Sequence, residues 1–264
     1  MNLQLNGQLA LVTGASKGIG YAIAERLVAE GARVAITGRD ANMLAQAQDR
    51  LGGADRVHVL QGDLATRGGV EDVIAGIRDF GDLDILINNV GFFEVRGFFE
   101  TSDATWASMF ELNVMSGVRL ARALMPAMLA RKRGRIVFIA SEQSLKPNPE
   151  MAHYAMTKVA NVSVARALAE LTKGTAVTVN SVLVAPTWTE GVEQFLQPIA
   201  EQQGITVDQM RTEYFKGDGL SSLIQRFATP GEIANVVAFI ASPLASVVNG
   251  AAVRADGGIV RSLF

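Results

Sequence analysis

The sequence predicts a doubly wound α/β fold, a parallel sheet of about seven strands with helices on both faces, and three observations predict it. Short runs of Val, Ile, Leu and Ala alternate with amphipathic stretches along nearly the whole chain. The short runs are apolar at consecutive positions rather than at every second one, so both faces of the resulting strands are buried, as in parallel sheets. A glycine-rich turn follows the first run, at the junction where such sheets cradle phosphate groups.

Each element can be justified in order. Residues 8–13 read as a strand and 18–30 as a helix closed by Gly31. A strand at 33–37, a helix at 41–51, a strand at 57–61, a helix at 66–80 and a fourth strand at 84–88 follow. A long helical stretch covers about 103–132, then a strand at 135–140, a helix over about 151–173 and a strand at 176–183. From about 186 to 228 the rhythm breaks into a polar stretch, helical in parts and longer than a connection requires. Insertions of that kind after a strand's carboxyl end are where such sheets keep substrate loops. A helix at 230–241 and a short strand at 251–254 lead into Asp256-Gly257-Gly258. Strand–helix–strand repetition imposes right-handed crossovers. No repeat or linker divides the chain, so residues 1–264 are expected to form a single domain.

Composition narrows the function. Hydrophobic residues make up 49% of the 264 and charged residues 19%, enough for a large core and too little charge for disorder. A net charge of −2 gives no electrostatic case for nucleic acid or an anionic membrane. The absence of cysteine excludes disulfides and thiol chemistry and makes the cytoplasm the expected compartment. His58 and His153, the only histidines, are far apart and make no usual zinc site, so no metal is expected. The first residues lack the basic and apolar regions of a signal peptide, and no apolar run approaches the ~20 residues of a membrane span.

The glycine turn reads Thr13-Gly14-Ala15-Ser16-Lys17-Gly18-Ile19-Gly20. A diphosphate needs a tight turn, close approach of bare backbone and free amides at a helix start, and Gly14, Gly18 and Gly20 supply these. No Gly-Lys-Ser/Thr follows, which argues against phosphoryl transfer. At the end of the second strand an acidic residue would bind a free ribose 2′-hydroxyl, whereas a cation accommodates a 2′-phosphate. Gly38 stands where the acid belongs, Arg39 follows, and Lys17 lies in the glycine turn, so NADP(H) is favoured over NAD(H). Arg39 also fits a solvated strand end, and Asp40 fits a cap of the next helix.

Further landmarks complete a pattern: Asp63-Leu64, Asn88-Asn89-Val90-Gly91, Asn113, Ser141, Tyr154-x-x-x-Lys158, Asn180 and Asp256-Gly257-Gly258. With the glycine turn, these make the chain resemble the short-chain dehydrogenase/reductase family along nearly its whole length, a Rossmann-type fold of the ketoreductase kind. Tyr154 and Lys158 are four apart on a predicted helix and share a face, where an ammonium favours the phenolate. Ser141 ends the fifth strand, placed to polarise a carbonyl beside Tyr154. The resemblance implies that Lys158 also bonds the nicotinamide ribose and that Asn113 holds a water relaying protons to it. It further implies cofactor contacts at Gly14, Ser16, Lys17, Gly18, Ile19, Gly20, Asp63, Leu64, Asn89, Gly91, Thr187 and Thr189.

Two departures stand out. Val90 replaces the usual alanine and adds bulk beside the cofactor channel. Val184-Ala185 replaces the usual Pro-Gly while Thr189 keeps its place, so either Ala185 is strained or the segment over about 184–188 has relaxed, the second being favoured. Substrate-pocket candidates are Ser141, Glu142, Gln143, Phe92, Phe93, Val184, Ala185, Trp188 and Phe195, although Phe92-Phe93 also fits ordinary core and Trp188 a loop anchor. The expected function is an NADP(H)-dependent ketone or aldehyde reductase, or alcohol dehydrogenase, acting on small molecules. The alternative is a 3-oxoacyl-carrier-protein reductase, with Arg131-Lys132-Arg133 and Lys173 as its handle for an acidic carrier. A homotetramer is expected, built through Ala160, Val164, Ala167, Leu168 and Leu171 on one contact and residues 259–264 on another.

Overall fold

The computed structural model describes residues 2–263; Met1 and Phe264, the end of the apolar tail, lie outside them. The strands are β1 (Leu9–Val12), β2 (Arg33–Gly38), β3 (Val57–Gln61), β4 (Ile85–Asn88), β5 (Arg133–Ser141), β6 (Ala176–Val184) and β7 (Ala252–Ala255). They form one parallel sheet in the order β3-β2-β1-β4-β5-β6-β7. The order reverses between β1 and β4, the switch point beside which open α/β sheets bind their ligands.

Helices cover both faces. On one side α1 (Gly18–Ala29), α2 (Ala41–Arg50) and α9 (Pro230–Ile240) bury Ile23, Leu27, Leu44, Ile233 and Val237 against Val12, Ile36, Ile87 and Val182. On the other, α3 (Arg67–Phe80), α5 (Ser116–Ala130) and α6 (Ala152–Glu170) bury Val73, Ile77, Leu120, Leu124 and Ala165 against Leu11, Leu86, Ile136 and Phe138. Consecutive apolar residues in each strand serve both cores, which is the reason the runs do not alternate. Polar caps start several helices: Asp40 accepts from Met43 N at 3.0 Å, Thr66 from Gly69 N at 3.0 Å, and Thr229 pairs with Glu232 in a capping box.

The sequence reading misses one break. The stretch expected as a continuous helix is α4 (Asp103–Phe110), a π-helical turn at Glu111–Met115, and then α5. Hydrophobic periodicity carries across such a turn, since one extra residue rotates the following face only partly. The turn contains Asn113.

The insertion is closed at its stem by a parallel bridge between Thr187 and Ala228, with Trp188 N and Ala228 N donating to Ala228 O and Pro186 O at 2.9 Å each. Between them lie α7 (Glu190–Gln203) and α8 (Val207–Glu213). Ala185 N donates to Ala255 O at 2.9 Å, continuing the sheet past β6. Among the described non-glycine residues, φ is positive only at Gln4, Lys132 and Gln225. Ala185 therefore carries no left-handed strain. No helix among the described residues is long and apolar enough to cross a membrane.

Candidate active site

The glycine turn is built by its neighbours. The Thr13 hydroxyl donates to Ile87 O at 3.2 Å and accepts from Asn89 N and Val90 N, both at 2.9 Å. Asn89 Nδ2 donates to Thr13 O at 2.8 Å and Gly14 O at 3.1 Å, so this side chain braces the turn. A Cβ on Gly20 would stand 2.3 Å from Gly14 O and 2.5 Å from Asn89 Nδ2, a space that only glycine fits. Gly14 and Gly18 have φ of +62° and +59°, the left-handed region that favours glycine. Lys17, at the start of α1, makes no side-chain cap, which leaves the first-turn amides for an anion. Ser16 is half-buried, and Ile19 packs on the core beneath the turn. The residues thus fit a dinucleotide diphosphate.

At the end of β2, Asp40 is committed to capping α2 through Met43 N. Lys17 and Arg39 are both exposed and, among the described residues, in no ion pair. Asp63 accepts from Ala65 N at 3.0 Å, forming a turn of its own. The Leu64 side chain is buried in the core, so only its backbone is available to a ligand. Thr189 caps α7 by accepting from Val192 N at 3.2 Å, and its methyl group lies 3.5 Å from a Cβ built on Gly18. Thr187 does not point outward: its hydroxyl donates to Ala185 O at 2.8 Å.

Past the sheet's switch point, the four expected polar residues draw together. A Cβ built on Gly91 would meet Asn113 Oδ1 at 3.1 Å and Lys158 Nζ at 3.6 Å. Asn113 accepts from Phe92 N at 3.0 Å and donates to Phe92 O at 2.9 Å and Thr157 Oγ1 at 3.2 Å. Asn113 lies buried within the π turn, a backbone feature frequent at functional sites. Asn161 Nδ2 donates to Asn113 O at 3.0 Å. Thr157 and Asn161, on the same helix as Tyr154, are supports the sequence reading did not single out. Lys158 Nζ donates to Ile139 O at 2.9 Å and lies 5.5 Å from the Tyr154 ring centre. Ser141 ends β5 within hydrogen-bonding reach of the Tyr154 phenol.

The electrostatics differ from expectation at Tyr154. Burial, followed by the Glu142 carboxyl, pushes its phenol well above the ordinary 10.0, and the Ser141 hydrogen bond only partly opposes this. Desolvation of the phenolate is the dominant influence in this buried site. Lys158 moves the other way, lowered by burial to about 8 against the upward pull of Glu142.

Of the pocket candidates, Phe93 meets Tyr154 edge-on at 6.3 Å and Phe195 from α7 at 5.4 Å between ring centres, making an aromatic wall. Phe92 is partly exposed next to it. Gln143 is buried, bonding Ser141, Glu142 and Asn148 N. Trp188 instead anchors the insertion, packing on Phe227 at 5.2 Å and under Arg211 at 4.9 Å. Val184 and Ala185 are core residues, so they act on the pocket only through the path of their segment. Val90 packs against Gly14, its Cα 3.0 Å from where a Cβ would stand. Tyr214, unmarked in the sequence, packs on Phe215 and Phe227, and burial, Glu142 and Asp218 all raise its phenol. Of the basic cluster, Arg131 pairs with Asp82 at 2.6 Å and Arg133 with Asp84 at 3.3 Å.

Comparison with known proteins agrees with this geometry. A family model described as short chain dehydrogenase matches residues 8–199. The uncharacterized oxidoreductase YvrD of Bacillus subtilis strain 168 is 47% identical over 263 residues, spanning 100% of both chains. The 3-oxoacyl-acyl-carrier-protein reductase FabG of Escherichia coli strain K12 is 33% identical over 260 residues, spanning 97% of this chain and 99% of its own. The crystal structure of L-sorbose reductase from Gluconobacter frateurii, complexed with NADPH and L-sorbose, superposes with a TM-score of 0.93 at 32% identity and 100% coverage of both chains.

Proposed function

Because the chain belongs to the short-chain dehydrogenase/reductase family, we propose that this oxidoreductase interconverts a small ketone or aldehyde and its alcohol, using NADP(H) in preference to NAD(H). The observation that carries the reading is the placing of Ser141, Tyr154 and Lys158 at the carboxyl ends of the strands, beside a glycine turn that fits a diphosphate. When bound there, the nicotinamide supplies or accepts the hydride.

Gly14, Ser16, Lys17, Gly18, Ile19, Gly20 and Thr189 hold the diphosphate end, and Arg39 with Lys17 receives the 2′-phosphate. Asp63, the Leu64 backbone and Gly91 line the adenosine side. Tyr154 keeps its proton at neutrality because burial raises the phenol. It releases that proton to an oxygen that is becoming an alkoxide, a far stronger base than water. Ser141 fixes that oxygen next to the phenol. Lys158, charged below about pH 8, orients the cofactor ribose and, through Asn113, meets solvent protons. Phe93 and Phe195 bound the substrate's apolar side. The carrier-protein reading keeps part of its handle: Arg131 and Arg133 pair with Asp82 and Asp84, while Lys132 and Lys173 are exposed and, among the described residues, in no ion pair. For a homotetramer, Leu171 is 61% exposed and Ala167 is exposed on α6, while Val164 and Leu168 are partly buried.

Ketones, aldehydes and alcohols assayed with both cofactors, followed at the nicotinamide absorbance, test the reading. Tyr154→Phe should lower turnover by ~10²–10⁴-fold with cofactor affinity nearly intact, because only the transferable proton is removed. Turnover close to that of the parent protein would sink the mechanism.

A further inference from the structure

We propose that Glu142 works as a neutral carboxylic acid, donating its proton to Ser141 Oγ so that the Ser141 hydroxyl hydrogen is turned outward onto the substrate's carbonyl oxygen. The role is one of positioning, and it rests on the carbonyl-reductase reading given above.

The argument begins with what a serine hydroxyl can do: donate once and accept twice. Ser141 Oγ already accepts from Gln143 N at 3.1 Å. With the carboxyl ionised, Ser141 Oγ donates to a carboxyl oxygen of Glu142, and the same contact reverses when that oxygen carries the proton, because a neutral carboxylic acid is a donor. Were Glu142 a carboxylate, the serine hydrogen would be committed to it. None would then remain for Tyr154 or a substrate. With the proton on Glu142, both acceptor sites of Ser141 are filled from within the protein and its hydrogen has one direction left.

The surroundings favour the neutral acid. Glu142 is only 6% exposed and, among the described residues, has no ion-pair partner. A buried carboxylate without a paired cation is costly, and the group keeps its proton instead. The Lys158 ammonium is within electrostatic reach of Glu142 but donates to Ile139 O and forms no ion pair with it, and the Lys146 ammonium donates to Asp218 O. The other groups that feel Glu142 are the phenols of Tyr154 and Tyr214, with Asp218 acting on Tyr214, and none supplies positive charge. The second carboxyl oxygen accepts from Gln143 Nε2 at 3.2 Å, as the carbonyl oxygen of a neutral acid does. Burial raises the carboxyl, in agreement. A neutral Glu142 also removes one of the two influences that raise Tyr154.

Two measurements test this. The infrared difference spectrum of the purified full chain against Glu142→Gln, at neutral pH and without cofactor, should show a protonated-carboxyl C=O stretch that shifts in heavy water. Its absence overturns the proposal whatever the activity. In kinetics, kcat/KM for a ketone with NADPH should fall in two steps as pH rises, one for Glu142 and one near pH 8 for Lys158. Glu142→Gln, whose amide still donates to Ser141, should retain about tenfold more activity than Glu142→Ala at neutrality and lose only the Glu142 step. Glu142→Ala should lose about tenfold or more, the worth of one oriented hydrogen bond, and should add little to Ser141→Ala. A glutamine variant as impaired as the alanine one, or one that keeps both steps, overturns the positioning role. If the infrared signature is present but no carbonyl compound is reduced, the placement of the proton stands and the functional reading fails.

Discussion

The glycine turn and the insertion over residues 186–228 touch at Gly18 and Thr189, yet different forces hold them. The turn is fixed by hydrogen bonds from Thr13 and Asn89 to backbone, and by a close approach at Gly20 that no side chain fits. The insertion is fixed by the Thr187–Ala228 bridge at its stem and by packing among Trp188, Tyr214, Phe215 and Phe227, whose ring centres lie 5.0 to 5.2 Å apart. The first is local, the second collective and tied also to the segment after β7, where Leu223 N donates to Gly257 O at 2.9 Å and Ser221 Oγ to Ile259 O at 2.6 Å. That division suits a molecule that must hold one ligand in fixed geometry while another enters and leaves.

The largest effect should come from breaking the glycine turn. Gly20→Ala forces Gly14 and Asn89 apart, at a cost of about 1–3 kcal/mol for overpacking. NADPH affinity should fall about a hundredfold or more, because charge-assisted amide bonds to the diphosphate are lost. Fluorescence titration reads the affinity and thermal denaturation the stability. The insertion should be indifferent, with proteolysis inside it unchanged.

Phe227→Ala tests the other side. Deleting a buried ring should cost the insertion about 3 kcal/mol, drawn from contacts with Trp188, Tyr214 and Phe215. Hydrogen exchange over α7 and α8 should accelerate and substrate KM should rise, while NADPH affinity moves little. Equal acceleration across β1 and β4 would show that the insertion and the sheet open as one unit.

The same contrast explains what the sequence made legible. The glycine turn, the Tyr154–Lys158 spacing and the strand runs are specified by residues near one another in the chain, so the seven strands and the meeting of Ser141, Tyr154 and Lys158 could be anticipated. Asn113 was found by position, but the π turn that contains it was not, because one extra residue leaves no mark in a hydrophobic pattern. The sequence offers Trp188 as pocket lining or loop anchor, and the packing that anchors it comes from Phe227 and Arg211, 39 and 23 positions further along the chain. Tyr214 carried no signal at all. The upward shift of Tyr154 was missed because spacing reveals a charged neighbour but not the loss of water around it.

Arg39→Ala probes the rim of the glycine-turn region, where no packing is at risk because the side chain is exposed. A charge-assisted contact to a 2′-phosphate is worth about 1.5–3 kcal/mol, so NADPH should weaken by roughly one to two decades while NADH is almost unaffected. Lys17→Ala should act in the same direction with smaller effect. Equal losses for the two cofactors would remove both residues from the recognition of that phosphate.

The smallest effect lies on the seam. Glu142 ends the β5 side of the pocket, and its carboxyl, once ionised, acts on the phenol of Tyr214 in the insertion, so its titration couples the two regions. Its carboxyl is raised in the folded protein from the ordinary 4.5, chiefly by burial. Between that ordinary value and the raised one, the unfolded chain has released the proton and the folded chain has kept it. The unfolded state then binds fewer protons, so stability falls as pH rises through that window. Below about pH 4.5 both states are protonated and the penalty is absent. Glu142→Gln removes the titration without removing the side chain's volume. Its melting temperature should match the parent's near pH 4 and exceed it by on the order of a few degrees at neutral and alkaline pH. The gain should appear in exchange over β5 and Tyr214 together and not in the glycine turn. A constant difference between the two proteins across pH would mean that Glu142 is not buried without a cation in solution, and that the seam is open to water.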